Sequence, residues 1–225
     1  MGTEGEIRPA WYALRSGGAR DYVTLLHPPY TLWHLSYVAI GAALAPRFHL
    51  DRMLLGLASF LLAMGVAAHA LDELHGRPLR TRIPSPLLVG LAAASLLGAV
   101  AIGVLAAALW GWWLLAFVAV GAVLVPAYNL EWAFHTDWGF ALAWGAFPAL
   151  TGYFVEAQTV RGEAAAAAAF ACLASYGQRA LSTPVRRARR ELLTTAGTEP
   201  LETALRAFTW AVVALAVALV AARLR

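Results

Sequence analysis

AHALDELHGRPLRTRIP, residues 68–84, ends a long apolar run with one histidine and two acids, His69, Asp72 and Glu73. It then opens a loop with His75, Gly76, Pro78 and three arginines, Arg77, Arg80 and Arg82. Positions i, i+3 and i+4 share one face of a helix. His69, Asp72 and Glu73 are therefore expected to point one way, at the mouth of a membrane-crossing helix. Acids gain nothing from a helix C-terminus, where the macrodipole is negative. Ionisable groups at the mouth of a span are costly unless paired or used, which marks the cluster as a candidate site.

The whole chain supports that setting. Of 225 residues 60% are hydrophobic and only 13% charged, and mean hydropathy is +0.63. This is the composition of a polytopic membrane protein. All 17 basic side chains are arginine, so a lysine Schiff base is excluded. The single cysteine, Cys172, excludes an internal disulfide and a cysteine-based metal site. The basic balance, with a pI near 9.6, calls for no nucleic acid, because arginine on cytoplasmic loops accounts for it. No signal peptide is expected, since the first apolar stretch comes late.

Outward from residues 68–84, the apolar pattern predicts about seven spans, at 30–46, 52–72, 85–108, 111–128, 138–156, 163–183 and 204–222. Residues 1–28 read as a cytoplasmic or interfacial tail whose aromatic and apolar residues suit a surface helix. Residues 29–225 read as one helical membrane domain. Trp110, Trp112 and Trp113 suit one membrane interface, and Trp132, Phe134 and Trp138 another. With the N-terminus inside, eleven arginines (8, 15, 20, 77, 80, 82, 186, 187, 189, 190 and 206) face the cytoplasm and five (47, 52, 161, 223 and 225) face outside. The C-terminus is then outside. The loops after spans two, four and six fall on the inner side together.

Those three loops carry the polar residues. Glu131 and His135 lie four apart, with Asp137 close behind. The run Arg186–Arg190 follows Gln178 and Arg179, and Arg179 lies within a span, where it needs a partner such as Asp72, Glu73 or a phosphate. Carboxylates at Asp72 and Glu73 suit Mg²⁺ shared with phosphate oxygens. His69, His75 and His135 with Asp72, Glu73 and Glu131 would also suit Zn²⁺ or Fe²⁺. Arginine runs also serve as simple inner-side anchors. His27, His34 and His49 are expected to be ordinary interface residues.

Several stretches resemble the UbiA superfamily of intramembrane prenyltransferases. Leu26-His27-Pro28-Pro29 stands where that family enters its first span, and His69 to Asp72 where it carries its first Asp-rich motif. Gly76-Arg77-Pro78-Leu79 through Ile83-Pro84 is similar to its Arg-Pro-Leu segment. Tyr128-Asn129, then Trp144-Gly145, Pro148 and Gly152-Tyr153, resemble its tyrosine loop and the span after it. The likeness covers roughly residues 22–190. The second Asp-rich motif is replaced by Gln178-Arg179-Ala180-Leu181-Ser182-Thr183-Pro184-Val185-Arg186, which has no acid. The resemblance implies an all-helical UbiA-like bundle that binds or transfers a prenyl diphosphate or other isoprenoid lipid at a cytoplasm-facing site. In that reading Asp72, Glu73 and Tyr128 are catalytic, and Arg77, Asn129, Arg179 and Arg186 bind substrate. Two other readings stay open: a metal-dependent membrane hydrolase or oxidoreductase, and a non-catalytic lipid- or quinone-binding protein.

Overall fold

A computed structural model describes residues 7–132 and 135–225. The first six residues of the expected tail, and Phe134, lie outside them. Among the described residues the chain forms eight helices and no strand. Helix α1 is Ala19–Leu25, α2 Pro28–Leu44, α3 Leu50–Leu74 and α4 Ser85–Trp110. Helix α5 is Leu114–Asn129, α6 spans residues 137–157, α7 is Gly162–Arg190 and α8 Glu199–Arg223. Helices α2 to α8 coincide with the seven expected segments. Three of them, α3, α4 and α8, are long and apolar enough to cross a membrane, and α5 is a shorter apolar helix. Large apolar side chains such as Leu97, Val123, Leu173 and Val217 face outward, as suits contact with lipid rather than water.

Two boundaries differ from expectation, and both matter for the site. The tail does not form one surface helix: only Ala19–Leu25 is helical. Residues before it are tied to the body instead, with Ala10 and Ala13 buried against Leu79 and Arg189 donating to Arg8 O at 3.3 Å. At the other end, α7 continues through the basic run to Arg190. Alanine and arginine are strong helix formers, and arginines near a helix C-terminus complement its dipole, so the run extends the helix rather than forming a loop.

Helix α2 is the centre of the bundle and packs on α6 and α8. Pro28 and Pro29 occupy its first turn, where a missing N–H costs nothing. Trp33 and Tyr37 are fully buried. Trp33 packs edge-on to Phe208 at 4.9 Å, and Ser175 donates to the Tyr37 hydroxyl at 3.2 Å. The α2–α6 crossing depends on glycine: a Cβ on Gly41 would lie 2.0 Å from Ala149 O, and one on Gly152 2.1 Å from Val38 O. Such close backbone approach is how helices gain packing energy in lipid.

Helices α3 and α6 each contain a wider π-helical stretch, Leu61–Ala68 and Ala141–Ala146. Turns of this kind occur mostly at functional sites. Between α3, α4, α5 and α6 lies an apolar cavity of about 100 Å³, walled by residues such as Phe60, Phe117 and Phe147.

Candidate functional site

At the end of the bundle where α3, α5 and α7 finish, a second cavity of about 240 Å³ is lined mainly by polar side chains. His69, Asp72 and His75 come from α3 and its exit, Tyr128, Asn129, Glu131 and His135 from α5 and its exit, and Arg179, Arg186 and Arg190 from α7. The three alternate polar segments of the sequence thus meet around one space.

The two adjacent acids of α3 behave differently. Glu73 is fully buried and points away from the cavity into loop 75–84. Its carboxylate accepts from Leu79 N at 2.9 Å, Thr81 N at 2.8 Å and Thr81 Oγ1 at 2.9 Å. That loop carries Gly76, Arg77 and Arg80 at positive φ, a conformation that costs a non-glycine residue energy unless neighbours hold it. Arg77 holds the same loop, donating to Ile83 O at 2.6 Å and Ser85 Oγ at 2.8 Å. Arg82 N donates to the buried Asp21. Glu73 and Arg77, expected as catalytic or metal-binding and as substrate-binding, are therefore spent on loop structure. Asp72 lines the cavity instead, and among the described residues it has no ion-pair partner.

Histidine rings are oriented by backbone carbonyls. His69 Nδ1 donates to Gly65 O at 3.1 Å, His34 Nδ1 to Trp144 O at 2.8 Å and His135 Nδ1 to Tyr128 O at 3.2 Å. Each ring is thereby held in the Nδ1–H form when neutral, with the Nε2 lone pair left over. Two of the accepting carbonyls, Gly65 and Trp144, belong to the π-helical stretches. His34, expected at an interface from its position near the start of α2, is instead buried. That helix starts at Pro28, so residue 34 lies well inside the bundle and is buried.

Behind His69 stands His27, stacked on it at 4.1 Å and sharing a 2.7 Å hydrogen bond with the Tyr12 hydroxyl. Burial pushes the Tyr12 phenol up, and burial, with His69 nearby, holds His27 well below the usual histidine range.

On the opposite wall Arg179 donates to Asp137 Oδ1 at 2.5 Å and to the Tyr128 hydroxyl at 2.7 Å. Tyr128 stacks on His135 at 4.8 Å and meets Trp144 edge-on at 5.7 Å. Asn129 is buried and donates to Val125 O at 2.6 Å. Glu131 lies 3.7 Å from both His75 and His135. Arg186 donates to Thr183 Oγ1 at 3.1 Å, and Arg190 Nε is buried without an acceptor.

The candidate metal ligands are dispersed around the cavity. Among the described residues no three His, Cys, Asp or Glu side chains come together as a metal-holding group. The expected set His69, Asp72, Glu73, Glu131 and His135 is split, because Glu73 faces the loop and Glu131 sits between His75 and His135. Among the described residues Asp72 and Glu131 are the carboxylates that line the cavity, beside His69, His75 and His135.

Arg190, His34 and Trp144 were not singled out as site residues from sequence. For Arg190 a signal existed: Arg179, Arg186 and Arg190 are spaced by seven and four, which puts them on one helical stripe. For His34 and Trp144 there was none.

No family model and no curated protein matches this sequence. Among solved structures, a UbiA homolog from Archaeoglobus fulgidus bound to Cd²⁺ superposes with a TM-score of 0.56, at 20% sequence identity. The match covers 91% of this chain and 85% of that one.

Proposed function

We propose that this chain, a UbiA-like helical membrane protein in its fold, binds an isoprenoid lipid with a phosphate or diphosphate head and serves to transfer its prenyl group. The observation that carries this reading is that the polar and the apolar cavity adjoin each other: Met64 and Trp144 line both. One is rich in arginine and histidine, the other is apolar from Met64 to Trp110. A molecule suited to both has an anionic head and a long apolar tail. An internal pocket lined by apolar and aromatic residues with a few polar groups at one end is the usual form of a lipid-like ligand site.

In the transfer, the C–O bond between the prenyl C1 and the diphosphate breaks, and the diphosphate stays with Arg186 and Arg190. Trp144 and Tyr128 border the junction, where their rings favour the allylic cation that develops at C1. Arg179 positions Tyr128 through its hydroxyl. A nucleophile entering from the polar side would take C1 and lose its proton. The histidine lone pairs at Nε2 suit that proton. The hydrolase or oxidoreductase reading gains no support from the donor geometry, and no step is routed through a metal. The arginine asymmetry supports a cytoplasm-facing polar cavity, with the N-terminus inside and the C-terminus outside.

The test is binding to the detergent-purified protein, read as a rise in Tm. Farnesyl diphosphate is expected to stabilise more than either inorganic pyrophosphate or farnesol at the same concentration. Equal shifts with farnesyl diphosphate and pyrophosphate would contradict a two-cavity ligand. Formation of a prenylated product from a membrane-lipid or aromatic acceptor pool would separate transfer from binding alone.

A further inference from the structure

Most of the arginines at the polar end are satisfied by the protein itself. Arg77 holds loop 75–84, Arg80 donates to Arg190 O at 3.1 Å, and Arg179 is held by Asp137 and Tyr128. Arg189 forms a two-point pair with Glu202, at 2.6 and 3.0 Å. Two guanidiniums of the cavity wall differ. Arg186 uses one N–H on Thr183 of its own helix. Arg190 makes no side-chain hydrogen bond to a described residue, and its Nε is buried with no acceptor. A buried cationic donor left unpaired is unfavourable, as at Arg190 Nε, and the half-buried Arg186 lies four residues before it on the same face of α7. Asp72, the nearby carboxylate of the wall, lies within electrostatic reach of both but pairs with neither. The wall thus offers donors in excess of acceptors around a cavity of about 240 Å³.

From this we infer that Arg186 and Arg190 form a clamp that binds a phosphate or diphosphate monoester without a divalent cation. The proposal deepens the reading of the cavity as a head-group site and rests on it. Its chemistry is that of the guanidinium fork, which meets two phosphate oxygens at once and cannot lose its charge. Diphosphate sites that use metal ions need carboxylates to hold them. Among the described residues this wall carries the carboxylates Asp72 and Glu131, and Glu131 already faces His75 and His135. Arginine thus supplies the neutralising charge that the carboxylate set cannot recruit. The same stripe places Arg179 and Arg186, and no acid, in the segment 178–186 that stands in place of a second Asp-rich motif.

The experiment is isothermal titration of farnesyl diphosphate, inorganic pyrophosphate, and phosphatidic acid in nanodiscs, each with excess EDTA and again with Mg²⁺. The expected result is affinity for farnesyl diphosphate that agrees within about threefold between the two conditions. Arg190→Gln and Arg186→Gln should each weaken it by about ten- to a hundredfold in EDTA. Arg190→Lys, which keeps the charge and loses the fork, should sit between, and Arg187→Gln should match the parent. Arg190→Met should leave the Tm of the ligand-free protein unchanged or raised, which distinguishes a clamp from a structural arginine. Arg190-dependent binding of phosphatidic acid in EDTA would support the clamp and assign the phosphate to a membrane lipid. Binding that requires Mg²⁺ and is lost in Asp72→Asn would overturn the clamp while leaving the lipid-binding reading in place. Failure of all three ligands in both conditions would overturn both.

Discussion

Glu73 and Asp72 are neighbours in sequence, at the same end of the same helix, and they belong to two different regions of the molecule. On the Glu73 side, loop 75–84 is chemically closed. The carboxylate takes three hydrogen bonds, Arg77 meets backbone carbonyls, and Asp21 accepts from Arg82 N. On the Asp72 side the cavity is open: a carboxylate and two guanidiniums face each other without pairing. The lesson is that buried polar groups with all their partners build structure, whereas those that lack partners mark where a ligand completes the set.

The comparison predicts its largest effect at Glu73. Replacing it with alanine leaves three buried donors unmet, and the protein should lose about 3 kcal/mol or more of stability, seen as a large fall in Tm or failure to fold. Asp72→Asn should change Tm little. Equal destabilisation by the two substitutions would erase the distinction between the regions. Next in size is the α2–α6 crossing that holds the site from behind. Gly152→Leu places a side chain where Val38 O now sits 2.1 Å from even a Cβ, and should cost a few kcal/mol. A variant as stable as the parent would mean that this crossing is looser than described.

A smaller effect separates binding from folding. Met64→Trp, in the buried wall shared by the cavities, should cost about 1–3 kcal/mol of stability, yet remove the extra stabilisation by farnesyl diphosphate over pyrophosphate. Smaller still is a pH effect at His27, which is held neutral by burial. Its pKa is lower in the folded than in the unfolded protein, so below about pH 6.5 the unfolded chain gains a proton that the folded one refuses. Stability should fall as pH drops from 7 to 5 and be flat in this respect above 7. His27→Gln should have a shallower acid slope of Tm, and an unchanged slope would remove His27 from the account.

The bundle was legible because its signal is redundant. Seven apolar runs, each near membrane length, predicted the seven helices, with the largest miss the seven-residue extension of α7 to Arg190, and arginine asymmetry grouped the polar ends. The meeting of residues 69–75, 128–135 and 179–190 around one cavity follows from that alternation. Direction was harder to read. Helical spacing placed His69, Asp72 and Glu73 on one face, yet Glu73 turns away because three loop donors capture it, and those donors come from a loop whose positive-φ residues have no periodicity to betray them. The basic run looked like an inner-side anchor, whereas its helical continuation resolves it into a stripe that faces the cavity and residues that do not, such as Arg187, paired with Glu191 at 3.5 Å. His34 and Trp144 meet across 110 residues, a contact no local pattern encodes.

The central claim is that one ligand occupies both cavities through the Met64–Trp144 junction. Photocrosslinking tests it most directly, with a farnesyl diphosphate analogue carrying a diazirine at the tail end and labelled peptides identified by mass spectrometry. The account predicts labels on Phe60, Phe117 or Phe147 in the apolar cavity, suppressed by excess pyrophosphate and by Met64→Trp. Labels on the lipid-facing groove between Leu32–Leu61 and Val213–Leu224, insensitive to both, would contradict it.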